Sequence, residues 1–354
     1  MASPDRATPH RGMVRLAAGI ATAGMAGCAL ASGFTVQSQS AAAIANGHGG
    51  AARADDASVA LLNPALAARV DAPQTSIALG GIALTADFDG RDSLSAIGTP
   101  ALGPSRSSAD GAAPLLSVFH TRPLGERTSL TVALSTPFGL STDYDPGWVG
   151  RYQVQSAPLK TLAISPAIAF TPGQAWSASL GATLVRGQTK LVSAVDFGSV
   201  CFAAIGPAAC APAGILPQGN DGIARIDAEG SGFGWTASLA WQASEQWRFG
   251  AHWRSKIDLD VDGNTTFRNP VLPGPFAALT QTSATTNGGV ASTLVLPDIA
   301  TVGAAYALSD RTQLIADATW TRWSRLQDLR LRFNNDAADS VIPFGWQNTR
   351  KVGL

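Results

Sequence analysis

From residue 74 onward, apolar and polar positions alternate with a period of two, the mark of β-strands with one apolar face. The pattern is sharpest around Ala243-Ser244-Glu245. Before that turn, Phe233, Trp235, Ala237, Leu239 and Trp241 share one face, opposite Gly234, Thr236, Ser238 and Ala240. After it, Trp247, Phe249, Ala251 and Trp253 alternate with Arg248, Gly250, His252, Arg254 and Lys256. Residues 162–170, 176–184 and 302–321 repeat the pattern. A soluble sandwich would bury the aromatic face, but here the other face is small, polar and basic. Tryptophans also gather beside the tight turns, as a membrane-interface belt requires. The alternation predicts strands whose aromatic face meets lipid.

The connections alternate as well. Short turns near 122–127, 171–174, 243–245 and 309–310 are interleaved with long Gly/Pro-rich loops near 89–111, 139–155, 194–222, 264–290 and 334–348. Short turns on one side and long loops on the other is the layout of an outer-membrane barrel, with the short turns in the periplasm. The expected fold is all-β, an antiparallel transmembrane β-barrel over 74–354. Counting gives nine complete strands and a tenth from about Thr349. An open sheet in lipid leaves backbone groups unpaired, and the sequence stops in mid-pattern, without the aromatic terminal strand typical of signals to the barrel-assembly machinery. The barrel is therefore expected to be incomplete at its C-terminus.

Composition narrows the class. Lys+Arg and Asp+Glu both number 25, so no net charge attracts nucleic acid. Only 14% of the 354 residues are charged, below the roughly 25% of soluble domains. Trp (9) outnumbers Tyr (3), and no run after residue 31 has the roughly 20 apolar residues of a membrane helix. At the start, Arg6, Arg11 and Arg15 precede an apolar segment ending in Ala29-Leu30-Ala31, which reads as a signal peptide over 1–31 cleaved after Ala31. Cys201 and Cys210 are then the cysteines of the mature chain, close together in a Pro/Gly/Ala loop, and are expected to form a disulfide in the oxidising periplasm. No further His or Cys completes a metal set, and nothing calls for a cofactor. Between signal and strands lies 32–73, rich in Ala and Gly, which reads as a plug inside the barrel.

Several motifs resemble those of the FadL/TodX-type outer-membrane transporters of hydrophobic compounds. They are Ser32-Gly33-Phe34, Ala54-Asp55-Asp56-Ala57, Asn63-Pro64-Ala65-Leu66, Phe138-Gly139-Leu140, Gly232-Phe233-Gly234-Trp235, Leu294-Val295-Leu296-Pro297 and 319–324. The resemblance implies a 14-stranded barrel with a small helical N-terminal hatch over 32–73. It also implies passive uptake of long-chain fatty acids or aromatic hydrocarbons, and a kinked third strand that opens the wall at Gly139 and Ser141. The basic residues that hold a carboxylate in fatty-acid members align with Ser193 and 341–342, which cannot pair with one. That shifts weight towards neutral hydrophobic substrates or a different basic residue.

The candidate residues follow from these readings. Asn63, Pro64 and Ala65 are either an ordinary helix end or a latch whose Asn bonds the barrel wall. Arg254 and His252, with Lys256, face the lumen by parity. They are candidates for contact with a carboxylate, or else for pairing with inward Asp258, Asp260 or Asp317. Arg186 belongs at the outer interface, near membrane lipid and lipopolysaccharide phosphates. Phe138, Leu140, Val200, Phe202, Ile205, Ile215 and Leu216 are candidates for the surface that captures a hydrophobic substrate. No catalytic grouping stands out, so an enzyme is not expected. The alternative to a hydrophobic-compound transporter is a general diffusion porin or a structural or adhesion barrel.

Overall fold

The computed structural model describes residues 33–47, 49–53, 56–309 and 311–353. The expected signal peptide with its Ala31 cleavage site, Ser32, and Ala54-Asp55 of the acidic motif lie outside them. Fifteen strands form one antiparallel sheet. They are β1 (Gln74–Asp89), β2 (Arg106–Pro123), β3 (Thr128–Ser135), β4 (Gly139–Leu140), β5 (Leu159–Phe170), β6 (Trp176–Asp196), β7 (Asp221–Gln242), β8 (Trp247–Arg254), β9 (Ile257–Arg268), β10 (Gly288–Leu296), β11 (Ile299–Ser309), β12 (Thr312–Thr321), β13 (Asp328–Phe333), β14 (Ser340–Pro343) and β15 (Thr349–Gly353). The main path runs β1-β2-β3-β5-β6-β7-β8-β11-β12-β15, ten neighbours, as the turn pattern implies. Among the described residues β1 pairs only with β2, and β15 only with β12. Two expected loops are shorter than the sequence suggested, because β2 begins at Arg106 and β9 runs to Arg268.

Alternation decides which way each strand faces. In β5 every second residue from Leu159 is buried, while Leu162, Ile164, Ile168 and Phe170 are exposed. In β7 the small set Gly234, Thr236, Ser238 and Ala240 is buried and Phe233, Trp235, Leu239 and Trp241 are exposed. The aromatic face is the outer one. Near the short turns its rings form a continuous band: Trp176 stacks on Trp241 (5.1 Å), Trp241 on Phe249 (5.5 Å), Phe249 on Trp247 (5.6 Å), and Trp247 meets Tyr306 (4.6 Å). Such a band suits the boundary between lipid and water, where an aromatic ring has an apolar body and a polar edge.

Four strands are interrupted, where the resemblance implied one. Breaks at 136–138, 255–256, 297–298 and 322–327 separate β3 from β4, β8 from β9, β10 from β11 and β12 from β13. The break at Ser255-Lys256 has a clear consequence. Between the pairs Thr236↔Arg254 and Ser231↔Asp260, β7 advances five residues while its partner advances six. One extra residue is a bulge, and it reverses the alternation. Beyond it Ile257, Leu259 and Val261 point in, and Asp258 and Asp260 point out. Lys256 is exposed and binds Asp258 (2.6 Å). The expectation that Lys256, Asp258 and Asp260 face the lumen is overturned by that one residue. Residues beside all four breaks (Phe138, Ile257, Leu296, Ile299, Trp323) meet in one buried cluster. Phe138 and Trp323, from opposite ends of the sheet path, approach to 6.4 Å, so the sheet curls around its inner face.

The described residues of 33–73 lie on that face. They hold two short helices, α1 (Ala41–Ala45) and α2 (Val59–Leu62), and a 3-10 turn at Pro64–Arg69. Val59, Ala65, Leu66 and Ala67 pack on Ala169 and Ala240, and Ala57 and Ala60 on Phe119 and Ala133. Small side chains on both partners allow backbone to approach backbone. The pairing register aligns Ala240, Gly250, Gly303, Asp317 and Gly353 in one inward row across β7, β8, β11, β12 and β15. A Cβ on Gly250 would stand 1.6 Å from the carbonyl oxygen of Ala51, and one on Gly303 would be 3.0 Å from the Ala51 Cβ. Asp317 accepts the N–H groups of Gly50 (3.2 Å) and Ala51 (3.0 Å).

Gly250→Val should therefore lift the N-terminal segment off the sheet, since overpacking of this kind costs roughly 1–3 kcal/mol or more. The check is limited proteolysis of folded, heat-modifiable protein. Cleavage within 33–73 should speed up in Gly250→Val but not in Gly125→Ala, where nothing lies within 4 Å. Equal protection of both variants would contradict this docking.

Candidate functional site

The interior beyond the N-terminal segment, towards the long loops, holds an apolar cavity of about 480 Å³. Leu140, Leu159, Ile226, Ala228, Leu259, Val261, Val290 and Leu294 form its sides. Leu326, Leu329, Leu331, Ile342 and Phe344 close it. The polar groups in its lining are neutral, among them Thr142, Tyr144, Gln153, Thr189 and Ser292, and no Asp, Glu, Lys, Arg or His takes part. Leu259 and Val261 reach it because of the Ser255-Lys256 bulge. Without that extra residue, Asp258 and Asp260 would face the cavity instead. A site of this kind binds by burying apolar surface, at about 0.8 kcal/mol per methylene.

Its floor is aromatic. Phe34 packs on Trp323 (4.6 Å), Trp346 (5.6 Å) and Phe138 (6.0 Å), and Trp323 on Trp346 (4.8 Å). Gly33, at φ +60°, lets the chain turn there, and a Cβ on it would lie 2.4 Å from Trp323. The segment then runs beside the interrupted third strand. Val36 N–H donates to Pro137 O (2.9 Å), Gly139 N–H donates to Phe34 O (2.9 Å), and Thr35 forms a bridge with Phe138. Gln39 spans the rest of the gap, donating to Thr136 O (2.6 Å) and accepting from Thr136 N–H (3.2 Å) and Ser117 Oγ (2.8 Å). Here β2 pairs with β3 only over Val118–Pro123, so its outer half has no partner from the third strand.

Asn63 bonds both its own turn and the sheet. It caps α2 and starts the following turn, its Oδ1 accepting from Ala65 N–H (3.2 Å). Its amide also donates to Ala51 O (2.6 Å) within the segment and to Leu239 O (3.1 Å) in β7. Ala65 N–H donates to Ser238 Oγ (3.2 Å), and Asn63, Pro64 and Ala65 are all buried. Gly139 pairs with Lys160, and Ser141 lies against Gly111. Leu140 lines the cavity, whereas Phe138 is buried in its floor and is not on a loop surface. His252 and Arg254 point inward but line a separate, polar chamber below Phe34. Of their expected partners, Asp258 and Asp260 face outward, and Asp317 is taken by the N-terminal segment. Arg186 is exposed and pairs with Glu229 (2.8 Å). Ile342 lines the cavity, and Ser193 does not.

The long loops are tied together over the cavity. Buried Arg151 binds Asp221 (2.8 Å) and the Leu102 carbonyl (2.6 Å), joining three loops. Tyr152 donates to Asp221 (2.8 Å), and burial, together with that carboxylate, pushes its phenol pKa well above the usual range. Cys201 and Cys210 are disulfide-bonded, and with Phe197, Ile215 and Leu272 they form a small core. Ile215 is thus structural, while Val200, Ile205 and Leu216 are exposed. The sequence reading missed Phe34, Trp323, Trp346 and Lys351. A signal existed for one of them: Trp320 and Trp323 are three apart, so a continuous strand would put them on opposite faces.

Comparison with known proteins agrees with this geometry. A Pseudomonas aeruginosa FadL homologue of known crystal structure superposes with a TM-score of 0.79 at 19% identity, covering 91% of this chain and 76% of that one. The Pseudomonas putida toluene transporter TodX gives 0.63 at 16% identity, over 87% and 76%. In sequence, the chain is 26% identical to the long-chain fatty acid transport protein of Salmonella typhi, over 92% of this chain and 74% of that protein. It is also 26% identical to the protein of the same name in Escherichia coli K12, over 85% and 69%. The family model for the outer membrane protein transport proteins (OMPP1/FadL/TodX) matches residues 22–354. This chain is a member of that outer-membrane transport family.

Proposed function

We propose that this protein admits hydrophobic small molecules, long-chain fatty acids or aromatic hydrocarbons, passively across the outer membrane. Its activity is transport, not catalysis. The observation that carries the reading is the apolar cavity, with no Asp, Glu, Lys, Arg or His among the described residues that line it. It lies within the range of roughly 300–1,000 Å³ typical of small-ligand sites. In this reading residues 1–31 direct export and are removed after Ala31, 32–73 are the hatch, and 74–354 form the wall. Leu140 contacts the substrate and Phe138 supports the aromatic floor. The way out lies between β2 and the third strand, where Gly139 and Ser141 leave little bulk and where Phe34, Val36 and Gln39 fill the gap. Asn63 is the latch of the hatch.

Single-channel recording tests the reading. A hatch-filled interior should carry no large, steady ion current, and such a current from the full-length protein would favour a diffusion porin instead. Ala228→Trp, which fills the cavity from β7, should cut binding of both palmitate and toluene about tenfold, or 1.4 kcal/mol. Tryptophan fluorescence or calorimetry on the purified protein would measure it, and undiminished binding would remove the cavity as the site. Asn63→Ala should lose uptake while the barrel still assembles, because three side-chain hydrogen bonds go, each worth about 1–3 kcal/mol when a buried partner is left unsatisfied. Uptake that survives in Asn63→Ala would dispose of the latch.

A further inference from the structure

A polar chamber of about 90 Å³ lies on the other side of Phe34 from the apolar cavity. The register places His252, Thr301, Thr319 and Lys351 in one inward row across β8, β11, β12 and β15. Arg254 stands one inward position above His252 and also lines the chamber. His252 is 7% exposed, and neither of its ring nitrogens has a hydrogen-bond partner among the described residues. The buried Nε of Arg254 has none either. The nearby carboxylates are committed elsewhere. Asp298 is held by Arg325 (2.9 Å) and Arg322 (4.0 Å), and Asp317 by the N–H groups of Gly50 and Ala51. Lys351 brings a second cation, its ammonium donating to Gln37 Oε1 (2.6 Å). A half-buried guanidinium with no carboxylate partner among the described residues is costly, and a wall that keeps one is equipped to receive an anion.

We propose that this chamber is a transit site for the carboxylate of a long-chain fatty acid. The inference rests on the uptake reading above and adds the chemistry of the head group to it. The apolar cavity offers the tail a place and the head none, since no charged group lines it. A carboxylate passing Phe34 meets Arg254, whose planar fork suits its two oxygens, with an imidazole N–H of His252 beside it. Lys351 stands across the chamber, three strands away, its Cα about 14 Å from that of His252 by strand spacing. Thr301, Thr319 and Gln37 supply neutral donors between them. Phe34, within the aromatic cluster, lines the cavity, and the next residue, Thr35, lines the chamber. The site therefore divides substrates by their head group after both kinds have entered the same cavity.

The experiment compares uptake of palmitate and methyl palmitate by cells producing the full chain. Wild type is set against Arg254→Gln/Lys351→Gln and against Arg254→Lys, with assembly followed by heat-modifiable gel mobility. The double variant should slow palmitate about tenfold and methyl palmitate less than about twofold, because only the charged head uses these residues, while Arg254→Lys, which keeps the charge but loses the planar fork, should slow palmitate less than the double variant does. Equal loss for both esterified and free acid, or loss for neither, overturns the carboxylate site. If the double variant fails to assemble, Lys351→Gln alone decides by the same comparison. If wild type takes up methyl palmitate but not palmitate, the carboxylate site falls and the uptake reading stands. Failure of both probes in wild type overturns the carboxylate site and the fatty-acid part of the uptake reading.

Discussion

Asn63 and Asp317 hold the hydrogen bonds on which the interior of this protein depends. An irregular backbone inside a membrane sheet has no water on which to rely, so the protein must supply its partners. Asn63 supplies them from the segment side, reaching Leu239 O in β7 while bracing Ala51 O. Asp317 supplies them from the wall side, taking the N–H groups of Gly50 and Ala51. Both work only because the row of Ala240, Gly250, Gly303 and Gly353 has almost no side chains to hold the two backbones apart. Steric room comes first, and the hydrogen bonds then fix the position.

That anchoring sets the level of everything above it. With Gly50, Ala51 and Asn63 seated on the glycine row, residues 35–39 run along the gap in the third strand, and Phe34 enters the aromatic cluster. The cluster exists because four strands break their pairing and turn apolar side chains inward. On one side of Phe34 the lining is apolar and uncharged. On the other it is polar and keeps two cations. A difference of one residue along the chain therefore separates two chemical environments.

Much of the fold was legible in the sequence, because strand alternation is a local property. The outward set of Phe233, Trp235, Leu239 and Trp241, the aromatic band and the short turns all follow from a period of two. Asn63 was legible as a helix cap or as a side chain that bonds the wall, and its hydrogen bonds are of both kinds. Alternation failed at Ser255-Lys256, where one inserted residue sent Asp258 and Asp260 outward and brought Leu259 and Val261 into the cavity. Nothing local marks that bulge, since it is defined only by pairing with β7.

The sequence by itself determined that this chain builds amphipathic strands with an aromatic outer face, behind a segment small enough to be enclosed. Those features depend on residue type and spacing alone. Only the tertiary structure decided which residues meet inside. Phe34, Phe138 and Trp323 are far apart in sequence, each in a motif of its own, and nothing in the motifs says that they meet. They form a floor because the sheet curls and its breaks converge. Arg254 and Lys351 likewise share a chamber only because register aligns their strands, and register is set by every pair along the sheet.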